Sequence, residues 1–378
     1  MQNLIEILNL TLNLNKNYLL YFKYSYKLMP KNEKLENGSK SDNNNSEKEK
    51  QLNLETFEVF HEIKIAYSRS GLDNTFVSFL FCDIPYLVFA TREKSIISYN
   101  LNNLCVVTEV KRAHEEDITN FRQYQKKIKE IYILSVSGII NDIKVWNFKN
   151  WECIFHLNKR KIIGSIFSAC YIYKDNKDYV ITSNSNDTQY IQLYDFTGKE
   201  FLTLNDSKGK VTFLDYFYDK EKSKYYIIAG YDDYSRSFDL EENKLYHKYY
   251  DKDMSTDWHG SLKINFSDNI VKLIDTNWED DYLMIWDFHK GTLLSKFKTG
   301  GKTIRCLCEW DEYNYFVGDK DHSIKLVDIK NGKVIKTFNA HIDWVVTIKK
   351  IKIDKYGECL VSMGLSTKEN IKIWKMKE

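Results

Sequence analysis

A chain of 378 residues with 43% hydrophobic content carries enough apolar side chains for a sizeable core. Its 55 Lys and Arg offset 53 Asp and Glu, leaving a formal charge of +2, which excludes the overall basic character of a dedicated nucleic-acid binder. Seven scattered cysteines without CxxC spacing exclude a zinc knuckle or a disulfide framework and suit reduced thiols in the cytoplasm.

No run of about 18 apolar residues is present, and the first residues lack the basic start and cleavage site of a signal peptide, so no transmembrane segment is expected. Residues 1–54 read as an N-terminal extension. Met1 to Leu28 alternates Leu and Ile with Asn, and translation starting at Met29 is an equal alternative. Residues 30–50, PKNEKLENGSKSDNNNSEKEK, hold one large apolar residue and read as a disordered linker, because so little burial cannot offset ordering entropy.

From about residue 55 a repeat appears. The segments IISYNL (Ile96 to Leu101), IKVWNF (Ile143 to Phe148), IQLYDF (Ile191 to Phe196), SRSFDL (Ser235 to Leu240), LMIWDF (Leu283 to Phe288), IKLVDI (Ile324 to Ile329) and IKIWKM (Ile371 to Met376) align. Their fourth positions step by 47, 48, 44, 48, 41 and 47 residues. That period matches a four-stranded propeller blade. Each interval divides into strand-like runs separated by Gly, Asp and Lys clusters, and FTGKEF, FHKGTL and IKNGKV supply tight turns after the motif. The expected fold over residues 55–378 is all-β, a seven-bladed β-propeller of four-stranded antiparallel blades. The last motif sits at the chain end, so its blade lacks an outer strand. FEVFHEIKIA, Phe57 to Ala66, precedes the first blade with no blade of its own and is expected to close the ring.

These motifs resemble the WD-repeat family of β-propellers, whose repeats end in Trp-Asp. Trp286-Asp287 fits fully, while Tyr194-Asp195, Phe238-Asp239 and Val327-Asp328 keep the Asp. The resemblance covers about residues 57 to 377. It implies a His early in a repeat and an Asp in the turn before the Trp strand. His114, Asp142 and Trp146 match those positions, as more loosely do His259, Asp280 and Trp286; His341 and Trp374 form a third set with Glu369 near the Asp position. What the resemblance implies for these residues is structural: the His bonds the turn Asp and ties one blade to the next.

Local motifs for chemistry are weak. Gly301-Lys302-Thr303 lacks the upstream Gly and the following helix of a phosphate loop. Asp251 and Asp253 lack the Gly and Glu of a calcium loop. No GxSxG or HExxH occurs, and no cofactor is implied. The loops from outer to next inner strand and from second to third strand share one propeller face. Those of the fourth and fifth blades carry Asp232, Asp233, Asp257, Glu279, Asp280 and Asp281, with Trp258 and Trp278 among them and no Lys or Arg, whereas Arg92, Lys94, Lys208, Lys210, Lys302, Lys320 and Lys368 lie elsewhere on that face. The acidic arc has two readings, a solvated rim of turn residues or a docking surface for a basic segment of a partner protein.

The expected function is a non-catalytic scaffold, a monomeric propeller within a larger complex that presents its loops to partner proteins. The alternative is a propeller that binds a small ligand or lipid head group, although no adjacent Arg pair occurs, and an enzyme comes third.

Overall fold

The structure, a computed structural model, describes residues 57–64, 75–127, 129–158, 165–183, 190–252, 259–277, 279–366 and 371–376, with the backbone alone at 259 and 260. The N-terminal extension, including the expected linker over 30–50, lies outside these residues, as do Asp257, Trp258 and Trp278. Strand follows strand throughout, relieved among the described residues by a single 3-10 turn at Gly138–Ile140.

Seven antiparallel four-stranded sheets form the blades. Blade 1 runs through Phe76–Phe81, Ile84–Ala90, Ile96–Asn100 and Cys105–Val110. Blades 2 to 6 repeat this order, their first strands opening at Asn120, Ala169, Val211, His259 and Ile304. Each aligned hexapeptide supplies the third strand. The turns after it place Gly198, Gly291 and Gly332 at φ of +81°, +67° and +62°, a region closed to most side-chain-bearing residues.

Blade 7 takes Val345–Ile353, Gly357–Gly364 and Ile371–Met376 from the C-terminal end and Phe57–Ile63 from the N-terminal side. Phe57 pairs with Met376 and Ile63 with Ile371, so the expected closure is the observed one. The borrowed strand reproduces a detail of the others. In every blade the third and outer strands slip register beside the fourth motif position, skipping one apolar residue: Val107, Ile154, Phe201, Tyr246, Leu294, Ile335 and, in the closing strand, Phe60. This bulge adds local twist at the same radius of each blade. Phe57 anchors the closure, its ring edge-on to Trp310, Phe316 and Phe338 at 5.5, 5.3 and 6.0 Å.

The first strands line the centre, each touching those of both neighbouring blades, and Val345–Ile353 touches Phe76–Phe81 to complete the ring. Across that seam the Thr75 and Thr347 hydroxyls lie 2.8 Å apart. The core is distributed: among the described residues seven apolar clusters each fill one interface between adjacent blades. Stability therefore comes from neighbour-to-neighbour burial, as expected for a repeat architecture. Arg122 reaches from blade 2 past blade 3 to donate to the Leu214 carbonyl of blade 4 at 3.0 Å, its guanidinium over the Phe213 ring.

Candidate functional site

Two third-strand tryptophans each end in a buried network of the same kind. Trp146 donates its Nε1–H to Ser135 Oγ at 2.8 Å, Ser135 lies 2.7 Å from His114 Nε2, and His114 Nδ1 lies 2.8 Å from Asp142 Oδ2. All these groups are satisfied when Ser135 donates to Nε2 and Nδ1–H donates to the carboxylate. Burial pushes the His114 pKa down against the pull of Asp142, favouring this neutral ring. Burial alone would raise the Asp142 pKa, but hydrogen bonds from His114 and His156 overcome it and hold the carboxyl at about 2. His156 Nε2 comes within 2.5 Å of Asp142 Oδ1, and Asn158 donates to the same oxygen at 3.3 Å. Blade 7 repeats the pattern, with Trp374 donating to Ser362 Oγ at 2.8 Å and His341 Nε2 at 2.8 Å from the same hydroxyl.

Blade 5 departs from it. Trp286 is fully buried, yet its Nε1 has no hydrogen-bond partner among the described residues. By register Asp275, also fully buried, stands where Ser135 stands in blade 2. The His259 side chain lies outside the described atoms, and Asp280 contacts Asn277 through its backbone N–H at 2.8 Å.

A second device stands beside the histidines and escaped the motif reading. Position two of the aligned hexapeptides is cationic in blades 2, 4, 6 and 7. Lys144 donates to the Ala113 carbonyl at 2.7 Å, Arg236 to the Lys208 carbonyl at 3.1 Å, and Lys372 to the Ala340 carbonyl at 2.7 Å. Each pins the loop arriving from the preceding blade. Lys325 of blade 6 instead donates to Asp319 and Asp321 at 2.8 and 2.9 Å. The signal was present in the alignment, since IKVWNF, SRSFDL, IKLVDI and IKIWKM share it.

The described acids of the predicted arc sit on the shared face, Asp232 and Asp233 between the second and third strands of blade 4 and Glu279, Asp280 and Asp281 at the same place in blade 5. They are not left without cations. Arg236 donates to Asp233 at 2.7 Å from the third strand, Lys210 approaches Asp232 at 3.6 Å from the preceding loop, and Lys298 stands 3.9 Å from Asp281 at the end of the outer strand. Counting charges within the loops missed Arg236 and Lys298 because they stand on flanking strands, and it placed Lys210 elsewhere on the face although that side chain reaches Asp232. Asp281 also accepts the Gly300 N–H at 3.1 Å, a turn role. Asp251, tested above as a calcium ligand, pairs with Lys296 at 3.1 Å.

Gly301 to Thr303 enters the strand Ile304–Glu309, not a helix. A Cβ on Gly301 would fall 1.8 Å from Asp319 Oδ2, so only glycine lets the loop lie against that carboxylate. Asp319 accepts the backbone N–H groups of Lys302 and Thr303 at 3.0 and 3.3 Å, that of Asp321 at 2.8 Å, and the Lys325 ammonium.

Among the described residues no group of three His, Cys, Asp or Glu side chains is placed to hold a metal, and no helix is long and apolar enough to cross a membrane. All seven cysteines are free thiols. No protein-family model matches this chain, and no curated protein matches it either.

Proposed function

We propose that this propeller is a protein-interaction scaffold of the WD-repeat type, without chemistry of its own, working in the cytoplasm as one subunit of a larger complex. One observation carries the reading: the loops of one face are pinned from below by buried and half-buried side chains. Asp319 holds the loop into blade 6 through two backbone N–H groups, Arg236 holds the loop into blade 4, and Lys144 and Lys372 hold those into blades 2 and 7. Loops fixed before binding lose little conformational entropy on binding, which favours recognition of a partner surface.

The WD-repeat assignment is supported by the networks joining Trp146, Ser135, His114 and Asp142 and joining Trp374, Ser362 and His341. In two separate blades a His and a third-strand Trp share one hydroxyl, at the positions the resemblance singles out. Free thiols are compatible with a reducing compartment.

Affinity purification of the tagged full chain from its native cell, with mass spectrometry of co-eluting proteins, tests the scaffold reading. Reproducible stoichiometric partners are expected. A chain that elutes alone under several mild conditions, or that turns over a substrate, overturns it.

A further inference from the structure

We propose that the loops of blades 6 and 7 on the pinned face form a docking site for a carboxylate-rich peptide segment of a partner protein. Trp344 is its aromatic platform, and Lys302 and Lys320 supply its charge. The proposal rests on the scaffold reading and names the surface and the chemistry that it uses.

Trp344 stands apart from the other described tryptophans. Trp146, Trp151, Trp286, Trp310 and Trp374 all pack into the apolar clusters between blades, whereas Trp344 belongs to none of them. It lies in the loop from blade 6 to blade 7, partly exposed, three residues after His341. The corresponding residue three after His114 in blade 2 is Asp117, so the architecture does not require an aromatic side chain there. The same loop projects Ile342 with 66% of its surface exposed. A large aromatic and an apolar residue held out of the core beside charge are the composition of an interface anchor.

Cations gather around this ring. Lys320 Nζ lies 4.4 Å from its centroid and the Arg305 guanidinium carbon 5.1 Å. Several cations elsewhere on the face are neutralised: Lys94 meets Glu116, Lys210 meets Asp232, Arg236 meets Asp233 and Lys298 meets Asp281. Lys302 and Lys320 meet no carboxylate at ion-pair distance among the described residues. The acid nearest in sequence to Trp344, Asp343, is partly exposed and accepts the Trp344 backbone N–H at 2.8 Å. Lys302 and Lys320 thus present positive charge that no described carboxylate meets, and an acidic ligand relieves it.

The scaffold beneath is rigid. Asp319 and Lys325, both sealed from solvent, fix the backbone at Lys302, and the Lys320 N–H donates to the Thr303 carbonyl at 2.9 Å, tying the two lysine-bearing loops together. The cations come from separate loops and flank an apolar platform instead of converging on one point. That spread fits an extended chain with several carboxylates and an apolar side chain better than a single phosphate.

The test uses the full-length protein and a fluorescein-labelled, Glu-rich peptide of about ten residues with one central Leu, read by anisotropy. A peptide with Lys replacing Glu is the charge control. The wild-type chain should bind the acidic peptide, more weakly as salt rises, and should not bind the basic one. Lys302→Glu with Lys320→Glu should weaken binding at least about tenfold, and Trp344→Ala comparably, at unchanged melting temperature; Glu279→Lys on the acidic arc should leave it unaltered. Absence of acidic-peptide binding overturns the proposal, as does equal binding by the double-lysine variant or by the basic peptide. Vesicles of phosphatidylcholine with about one-fifth phosphatidylserine that bind through Lys302 and Lys320, where the peptide does not, would assign the patch to a lipid surface instead. Cellular partners that co-purify equally with wild-type and double-lysine chains remove this site while leaving the scaffold reading intact, whereas a chain without partners removes the scaffold reading itself.

Discussion

Lys325 Nζ lies 2.8 Å from Asp319 Oδ2, and both side chains are withdrawn from water. Six residues apart in sequence, they face each other because the turn between them, Lys320 to His322, returns the third strand alongside the second. Asp319 also holds three backbone N–H groups, so its removal orphans those donors and leaves the buried ammonium with Asp321 alone. Asp319→Ala is expected to destabilise the fold by about 3–5 kcal/mol in urea unfolding. Lys325→Met leaves Asp319 Oδ2 without its donor but keeps the three N–H bonds to Oδ1, and should cost less. Equal losses would show that the backbone contacts contribute nothing.

Phe57 closes the ring through aromatic contacts to blade 6, while its strand completes blade 7. Phe57→Ala removes a ring buried against three others and should cost about 3–5 kcal/mol. A chain lacking residues 1–64 should lose more, because the third strand of blade 7 then exposes an unpaired edge. Melting temperatures of the two proteins against wild type check this.

Stability should fall on acidification in two stages. His114 has a folded-state pKa below its unfolded value of about 6.5, so the unfolded chain binds the extra proton and the contribution of His114 fades as pH drops below about 6.5. Asp142, held at about 2 against 3.8 unfolded, contributes above about 3.8 and loses its share as pH falls toward about 2. Unfolding free energies of His114→Gln and Asp142→Asn across this range should flatten the upper and lower stages respectively.

Within the acidic arc two neighbours should behave oppositely. Asp233 satisfies the buried Arg236 guanidinium, which also holds the Lys208 carbonyl and stacks on Tyr231 at 3.8 Å. Asp233→Ala should therefore cost about 1–3 kcal/mol. Asp232 faces a partly exposed Lys210 at 3.6 Å, and Asp232→Ala should stay within about 0.5 kcal/mol. Chemical denaturation of both variants separates a structural acid from a rim acid.

Blade number, strand order and the borrowed closing strand were legible in the sequence because they depend on backbone periodicity. A motif recurring at steps of 41 to 48 residues, turn glycines after it, and a leftover strand before the first blade leave one way to seal the ring. Residue types also placed His114, Asp142 and Trp146, since their network joins strands of one repeat and its neighbouring loop. Charge balance was not legible. Arg236 reaches Asp233 and the Lys208 carbonyl together only once blade 3 lies against blade 4, and Lys298 approaches Asp281 only once the outer strand folds back along the third. The exposure of Trp344 was equally hidden, because a tryptophan near a repeat boundary reads as core until packing shows that no cluster receives it. Local pattern determines which strands form and in what order; which charges are neutralised and which aromatic faces water is decided by side chains that meet only when the ring closes.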